Sequence, residues 1–199
     1  MRNAEATRER ILEAAMEEFS SYGVSGARVD RIAKNAGCNK NMIYVYFENK
    51  ETLFKTVLQK HLARVYEENE FTPEDLPGYA ARVFEYAMSH PDLFRLMAWY
   101  GLEKSVIGDL ADRSSVQEKK LQTIADAQDA GRVGQTFAPG FLMTAIMALA
   151  TAWTATNPFG PSYDRKAMDR LDETKDAVAT AIRLLVKGEE GNANAKPKR

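Results

Sequence analysis

Lys40, Asn41 and Tyr44 bring an ammonium, a carboxamide and a phenol to one short segment, and Lys50 adds a second ammonium just beyond it. Each of these groups can bond phosphate oxygens or base edges, so their company points to nucleic-acid binding. Bond-making chemistry finds little support. The two histidines, His61 and His90, are far apart with no glutamate at metal-ligand spacing, and the chain has no HExxH, no glycine-rich phosphate loop and no nucleophile motif. They read as a helix-surface or packing residue and a helix-end residue; no catalytic residue, metal or cofactor is expected.

The elements that would position the binding groups lie between Val29 and Lys50. Val29, Ile32, Ala33 and Ala36 recur at i, i+3, i+4 and i+7 and line one face of a short helix. Gly37 stops that helix, and Cys38-Asn39 supplies a tight turn with an N-cap residue. A second helix is expected from about Lys40 to Tyr46. Ile43 and Phe47 form its inner side, which leaves Lys40, Asn41, Tyr44 and Val45 facing outward. Two short helices joined this way have the helix-turn-helix layout, whose second helix lies in the major groove.

Ile32-Ala33, Ala36-Gly37-Cys38-Asn39, Ile43-Tyr44, Phe47, Lys50 and Leu53 stand at the intervals of a longer pattern, I-A-x-x-A-G-V-S-x-x-x-L-Y-x-x-F-x-x-K-x-x-L. The stretch thereby resembles the DNA-binding domain of the tetracycline-repressor (TetR) family. The resemblance implies an all-α protein: a three-helix helix-turn-helix domain at 1–49 and a larger helical ligand-binding and dimerisation domain at 50–187. It also implies phosphate or base contacts from Asn39, Lys40, Asn41 and Tyr44, and a phosphate contact from Lys50. A lysine at a helix N-terminus suits an anion on physical grounds as well.

Arg28, Asn41 and Val45 depart from the family pattern. Arg28 stands where a serine or threonine usually caps the first reader helix; its guanidinium cannot cap in that way but can reach a phosphate. Asn41 replaces a common glycine and Val45 a common histidine or other polar residue. Asparagine can pair with adenine and valine can touch a thymine methyl, which favours a half-site containing A/T pairs. Tyr46 has spacing for either a phosphate contact or packing beside Phe47. Cys38 is read as a small apolar turn residue, although a lone thiol also admits a redox role.

Outside this segment, 3.6-residue periodicity predicts about nine helices in all. The first runs from about Asn3 to Tyr22, with Ile11, Leu12, Ala15, Met16, Phe19 and Tyr22 as its stripe and Arg2, Arg8 and Arg10 near its start. A fourth runs from Lys50 to about Glu70, a fifth ends near Ser89 and a sixth follows Pro91. A charged loop, Glu103 to Ser115, precedes a seventh from Val116 to Ala130. The eighth centres on Phe141 to Ala155, and the ninth covers Asp164 to about Lys187. Residues 188–199 are expected to be a disordered tail.

One reader helix touches too few base pairs to find a single genomic site. A two-fold dimer supplies two such helices, spaced roughly 34 to 36 Å or a multiple of it, and reads a palindrome in double-stranded DNA. Helices 8 and 9 are the candidate homodimer interface, being alanine-rich and more apolar than a monomer core obviously needs; completing that core is the alternative. The family resemblance further implies a ligand pocket that changes the separation of the readers. Candidate lining residues are Tyr86, Phe94, Met97, Trp99, Tyr100, Met143, Met147, Trp153 and Phe159, which suit a small apolar or aromatic ligand or simply pack together.

Composition bounds the rest. Net charge over 199 residues is −1, so the chain is not broadly basic. Positive charge is local: Arg28, Arg31, Lys34, Lys40 and Lys50 outnumber Asp30 and Glu48 by three within the reading unit. One cysteine excludes an internal disulfide. No secretory signal is evident, and the apolar run Phe141–Ala155 is shorter than the ~20 residues a bilayer needs, so a cytoplasmic location is expected. The function expected is DNA-binding transcriptional regulation, as a ligand-released repressor; a helical interaction protein or an enzyme without a DNA role is the alternative.

Overall fold

The helical conformation of helix 1 is interrupted at its first glycine, directly after the end that the periodicity gives it at Tyr22. In the computed structural model, which describes residues 2–110 and 113–187, α1 (Arg2–Gly26) continues past Gly23, where the backbone leaves helical geometry with φ 65° and ψ −173°. Glycine can take that conformation without a Cβ penalty, so the chain kinks and then makes one more turn. There follow α2 (Val29–Asn35), α3 (Lys40–Phe47), α4 (Lys50–Glu68), α5 (Leu76–Ser89) and α6 (Pro91–Leu102). Beyond them lie α7 (Lys104–Ile107), α8 (Arg113–Asp129), α9 (Pro139–Ala150), α10 (Gly160–Tyr163) and α11 (Leu171–Val186). The architecture is all-helical. Among the described residues nine helices have seven residues or more, as the periodicity predicts, and two have only four.

Several boundaries differ from expectation for identifiable reasons. The stretch expected as a charged loop contains α7, and α8 begins at Arg113. Four residues are too few to show periodicity. The eighth predicted helix ends at Ala150 instead of reaching Ala155, as Thr151 closes it with its backbone N–H on Met147 and Leu149. The ninth begins only at Leu171, after a 3₁₀ turn at Ala167–Arg170. Tyr22 is not part of the buried stripe: it is 51% exposed. The side chain of Arg2 and the predicted tail at 188–199 lie outside the described residues.

The chain divides into two compact units. The first comprises Met1–Glu68, Ala87–Ala111 and Thr154–Pro158. Its centre is α1, which packs on α2, α4 and α6. Ile11, Ala15 and Phe19 of α1 are wholly buried, as are Leu53, Phe54, Val57 and Leu58 of α4 and Leu96 of α6. Phe19 meets Phe54 edge to face, with ring centroids 5.2 Å apart. Each of the larger side chains contributes roughly 1.5–3 kcal/mol by leaving water, so this core fixes α1 as the base for α2, and α3 packs on α2 and α4.

The second unit comprises Asn69–Tyr86, Asp112–Trp153 and Phe159–Arg199. Here α9 packs between α8 and α11. Leu142, Ile146 and Ala150 recur every four residues on its buried face, and Val178 and Ile182 do the same on α11. Between α8 and α9, buried Gln128 donates to the carbonyls of Gly134 and Phe137 at 2.7 and 2.8 Å, holding that connection closed. Ala138 offers no side-chain cap to α9, and Pro139 opens the helix instead.

Candidate nucleic-acid interface

The reading surface is built on α2 and α3. In α2, Ile32 and Ala33 are buried; in α3, Ile43 and Phe47 are buried one turn apart. Gly37, at φ 62°, turns the chain between the two helices. Asn39 then caps α3, its side-chain oxygen accepting the Asn41 N–H at 2.9 Å. Asn49 plays the corresponding part for α4, accepting the Thr52 N–H at 2.7 Å. Ile32, Ala33, Ile43 and Phe47 therefore face the core, and Lys40, Asn41, Tyr44 and Val45 lie on the exposed side of α3.

Their placement is as follows. Tyr44 and Val45 are 44% and 74% exposed, and Asn41 is exposed beside them. Lys40 is partnered: its Nζ lies 2.9 Å from Asp30 Oδ1, and that carboxylate raises the pKa of the lysine. Tyr46 is half-buried with its ring 6.1 Å from that of Phe47. Lys50 Nζ donates to the Ala27 carbonyl at 3.2 Å, so the lysine ties α4 to the segment that opens α2. Arg28 makes no side-chain capping bond and is exposed.

Glu18 supplies what Arg28 does not. This buried α1 carboxylate accepts the Arg28 backbone N–H at 2.7 Å and binds the Arg31 guanidinium through Nε and Nη2, with a shortest distance of 2.6 Å. Burial pushes the Glu18 pKa up, but the bonds from Arg31 and Arg28 outweigh it, and the net shift is downward. The Arg31 guanidinium also lies over the ring of exposed Tyr22, 4.4 Å from its centroid. The other end of α2 is held too, since Arg10 Nε donates to the Ala36 carbonyl at 3.0 Å. Arg8 lies 5.4 Å from the Phe47 ring centroid. Both arginines at the start of α1 thus brace the reading unit.

A second brace comes from α6 and the residue after it. Glu103 accepts the N–H groups of Val24 and Ser25 at 2.6 and 3.1 Å, just beyond the Gly23 kink. Trp99 Nε1 donates to the Ser20 carbonyl at 3.2 Å, and its ring covers Gly23 so closely that a Cβ there would sit 2.7 Å from it. Trp99, predicted as pocket lining, is therefore bound to α1. These braces were not legible by spacing, because Glu18 and Glu103 lie 10 and 78 to 79 residues from the backbone groups they hold.

The arrangement is a helix-turn-helix with its polar face exposed and its hidden face anchored. The model for bacterial regulatory proteins of the tetR family matches residues 11–57, and that for the tetracyclin repressor-like C-terminal domain matches residues 75–184. The chain belongs to the TetR family. This TetR-family protein is 35% identical over 188 residues to the HTH-type transcriptional repressor SCO4008 of Streptomyces coelicolor, covering 93% of this chain and 97% of that protein. It is 33% identical over 111 residues to the repressor NicS of Pseudomonas putida, 52% of each chain. The crystal structure of the transcriptional regulator SCO4942 from Streptomyces coelicolor superposes with a TM-score of 0.79 at 32% identity, covering 90% of this chain and 98% of that one. The protein is a DNA-binding transcriptional regulator, and TetR-family regulators, which are not enzymes, typically act as dimers.

The remaining predicted residues are scattered. Phe94 and Tyr100 are buried and Met97 half-buried in the first unit; Tyr86 is buried, and Met143, Met147 and Trp153 half-buried, in the second. Phe159 is 66% exposed. The Cys38 thiol is half-buried, and burial raises its pKa against the opposing charge of Arg10. That fits a packed turn residue better than a reactive thiolate. His61 is pushed down by burial and by the nearby charges of Lys60, Arg64 and His90. Among the described residues, no helix is long and apolar enough to cross a membrane.

Proposed function

We propose that this regulator is a repressor of the bacterial cytoplasm that holds a palindromic operator as a homodimer and releases it when a small apolar or aromatic ligand binds. The observation that carries the DNA part is the division of α3 into a buried side, Ile43 and Phe47, and an exposed side, Lys40, Asn41, Tyr44 and Val45. Asn41, Val45 and Tyr44 meet base edges or phosphates, with Asn39, Tyr46, Lys50 and Arg28 at the flanking backbone. Repression is supported by the naming of both SCO4008 and NicS as repressors.

Homodimerisation is assigned to the outer faces of α9 and α11, the eighth and ninth helices of the periodicity. Phe141 on α9 is 54% exposed and Leu184 on α11 is 69% exposed, with Ala148, Ala177 and Thr180 small and exposed on the same two helices. Small side chains let two helix pairs approach closely, and the two large apolar ones gain by leaving water. For the ligand, Trp153 Nε1 is buried with no hydrogen-bond partner, beside the Phe84 ring at 6.0 Å between centroids. An aromatic ligand bearing one acceptor would satisfy that donor; Met143 and Met147, half-buried on α9, remain candidate lining residues.

Footprinting of the DNA upstream of the protein's own gene, at several salt concentrations and with and without aromatic compounds, tests the reading. The expected result is a protected inverted repeat containing A/T pairs, lost as salt rises and cleared by one compound class. Binding independent of any inverted repeat, or half-sites made only of G/C pairs, would contradict it.

A further inference from the structure

Asp30 is an acidic residue on a surface that must approach phosphates. It lies in the first turn of α2, its side chain is 75% exposed, and its carboxylate meets Lys40 Nζ, at the first position of α3, at 2.9 Å. We propose that Asp30 and Lys40 work as one unit that reads a single G·C base pair, the lysine donating to guanine O6 and N7 and the aspartate accepting from the cytosine N4 amino group. The proposal rests on the operator reading above, which puts the start of α3 in the major groove.

Donors must match acceptors where this surface meets the groove. A carboxylate facing phosphates weakens binding unless it finds a donor. In the major groove the base edges offer such donors only at cytosine N4 and adenine N6. A lysine held at hydrogen-bond distance from that carboxylate must find its acceptor beside the same amino group. On a G·C pair, O6 and N4 lie side by side at about 2.9 Å, being bonded to each other across the pair, and N7 gives the ammonium a second acceptor. On an A·T pair the acceptors, thymine O4 and adenine N7, lie on opposite sides of the N6 amino group, so a lysine beside the aspartate reaches one of them and not both. Placing Lys40 on a phosphate instead would bring the Asp30 carboxylate against the same anion. In the G·C arrangement the ion pair stays intact and each member gains a partner.

Both side chains are exposed, so their replacement leaves the cores of α2 and α3 untouched. The test uses the full chain and an operator selected from random duplexes, with each half-site position changed in turn to all four base pairs. Wild-type protein should favour G·C at one position by about tenfold or more. Asp30→Ala and Lys40→Ala should each flatten the preference at that same position and leave the others standing, and Asp30→Glu should restore part of it. An Asp30→Ala protein that keeps every base preference while tightening on all sequences alike overturns the proposal, because the aspartate would then only lower the local charge. Flattening at two different positions overturns it too. Wild-type protein with no sequence preference would instead sink the operator reading itself.

Discussion

At Glu18, 5% exposed, a single carboxylate holds the entry to α2 through the Arg28 N–H and the Arg31 guanidinium. Its pKa lies below the ordinary 4.5. A carboxyl lowered on folding contributes stability that is present above its unfolded value and disappears as pH falls through its folded one. The urea midpoint of the wild type should therefore drop as pH is taken below about 4.5, and Glu18→Gln, less stable at pH 7, should show a shallower drop. Parallel curves for the two proteins from pH 7 to 3 would contradict this. Asn39 gives a simpler case. Losing its cap on the Asn41 N–H should cost about 1 kcal/mol, read as a lower melting temperature for Asn39→Ala. At this scale the sequence was legible only where partners are close: the Asn39 cap follows from its place before a helix, whereas Asp30 counted merely as a charge and Glu18 gave no signal, since their partners are 10 and 13 residues away.

Among the elements, α1 kinks at Gly23, directly after the end that the periodicity gives it. A substituted residue there would need φ 65° and would press its Cβ into the Trp99 ring at 2.7 Å. Gly23→Ala should lose at least about 1–3 kcal/mol for the backbone alone, measured by thermal or urea unfolding. In a Trp99→Ala background the loss caused by Gly23→Ala should shrink only by the part due to the clash. A Gly23→Ala protein as stable as wild type would mean that α1 relaxes without cost. The reading unit itself was legible because α2 and α3 pack through regular i, i+3, i+4 spacing. By contrast, α7 and α10 are single turns with no period to read, and α9 is shortened where Thr151 takes its last carbonyls.

At the scale of the whole molecule, the all-helical plan and its two family segments follow from the sequence pattern, while the division into two units does not. Residues 87–111 and 154–158 join the N-terminal unit from far along the chain, and such long-range grouping leaves no local trace. The proposed homodimer gives the test at this scale. Leu184→Glu, on an exposed face of α11, should shift the protein toward monomer in sedimentation and weaken operator binding together, with helix content unchanged by circular dichroism. A dimer undisturbed by that charge would move the interface elsewhere. Finally, the two tryptophans fall one to each unit: Trp99 rests on α1 with its indole N–H bonded, and Trp153 stands beside Phe84 with its indole N–H unbonded. Nature has thus placed one intrinsic fluorophore in each unit, so Trp99→Phe and Trp153→Phe yield a pair of proteins whose emission follows the second and the first unit separately, without any attached dye.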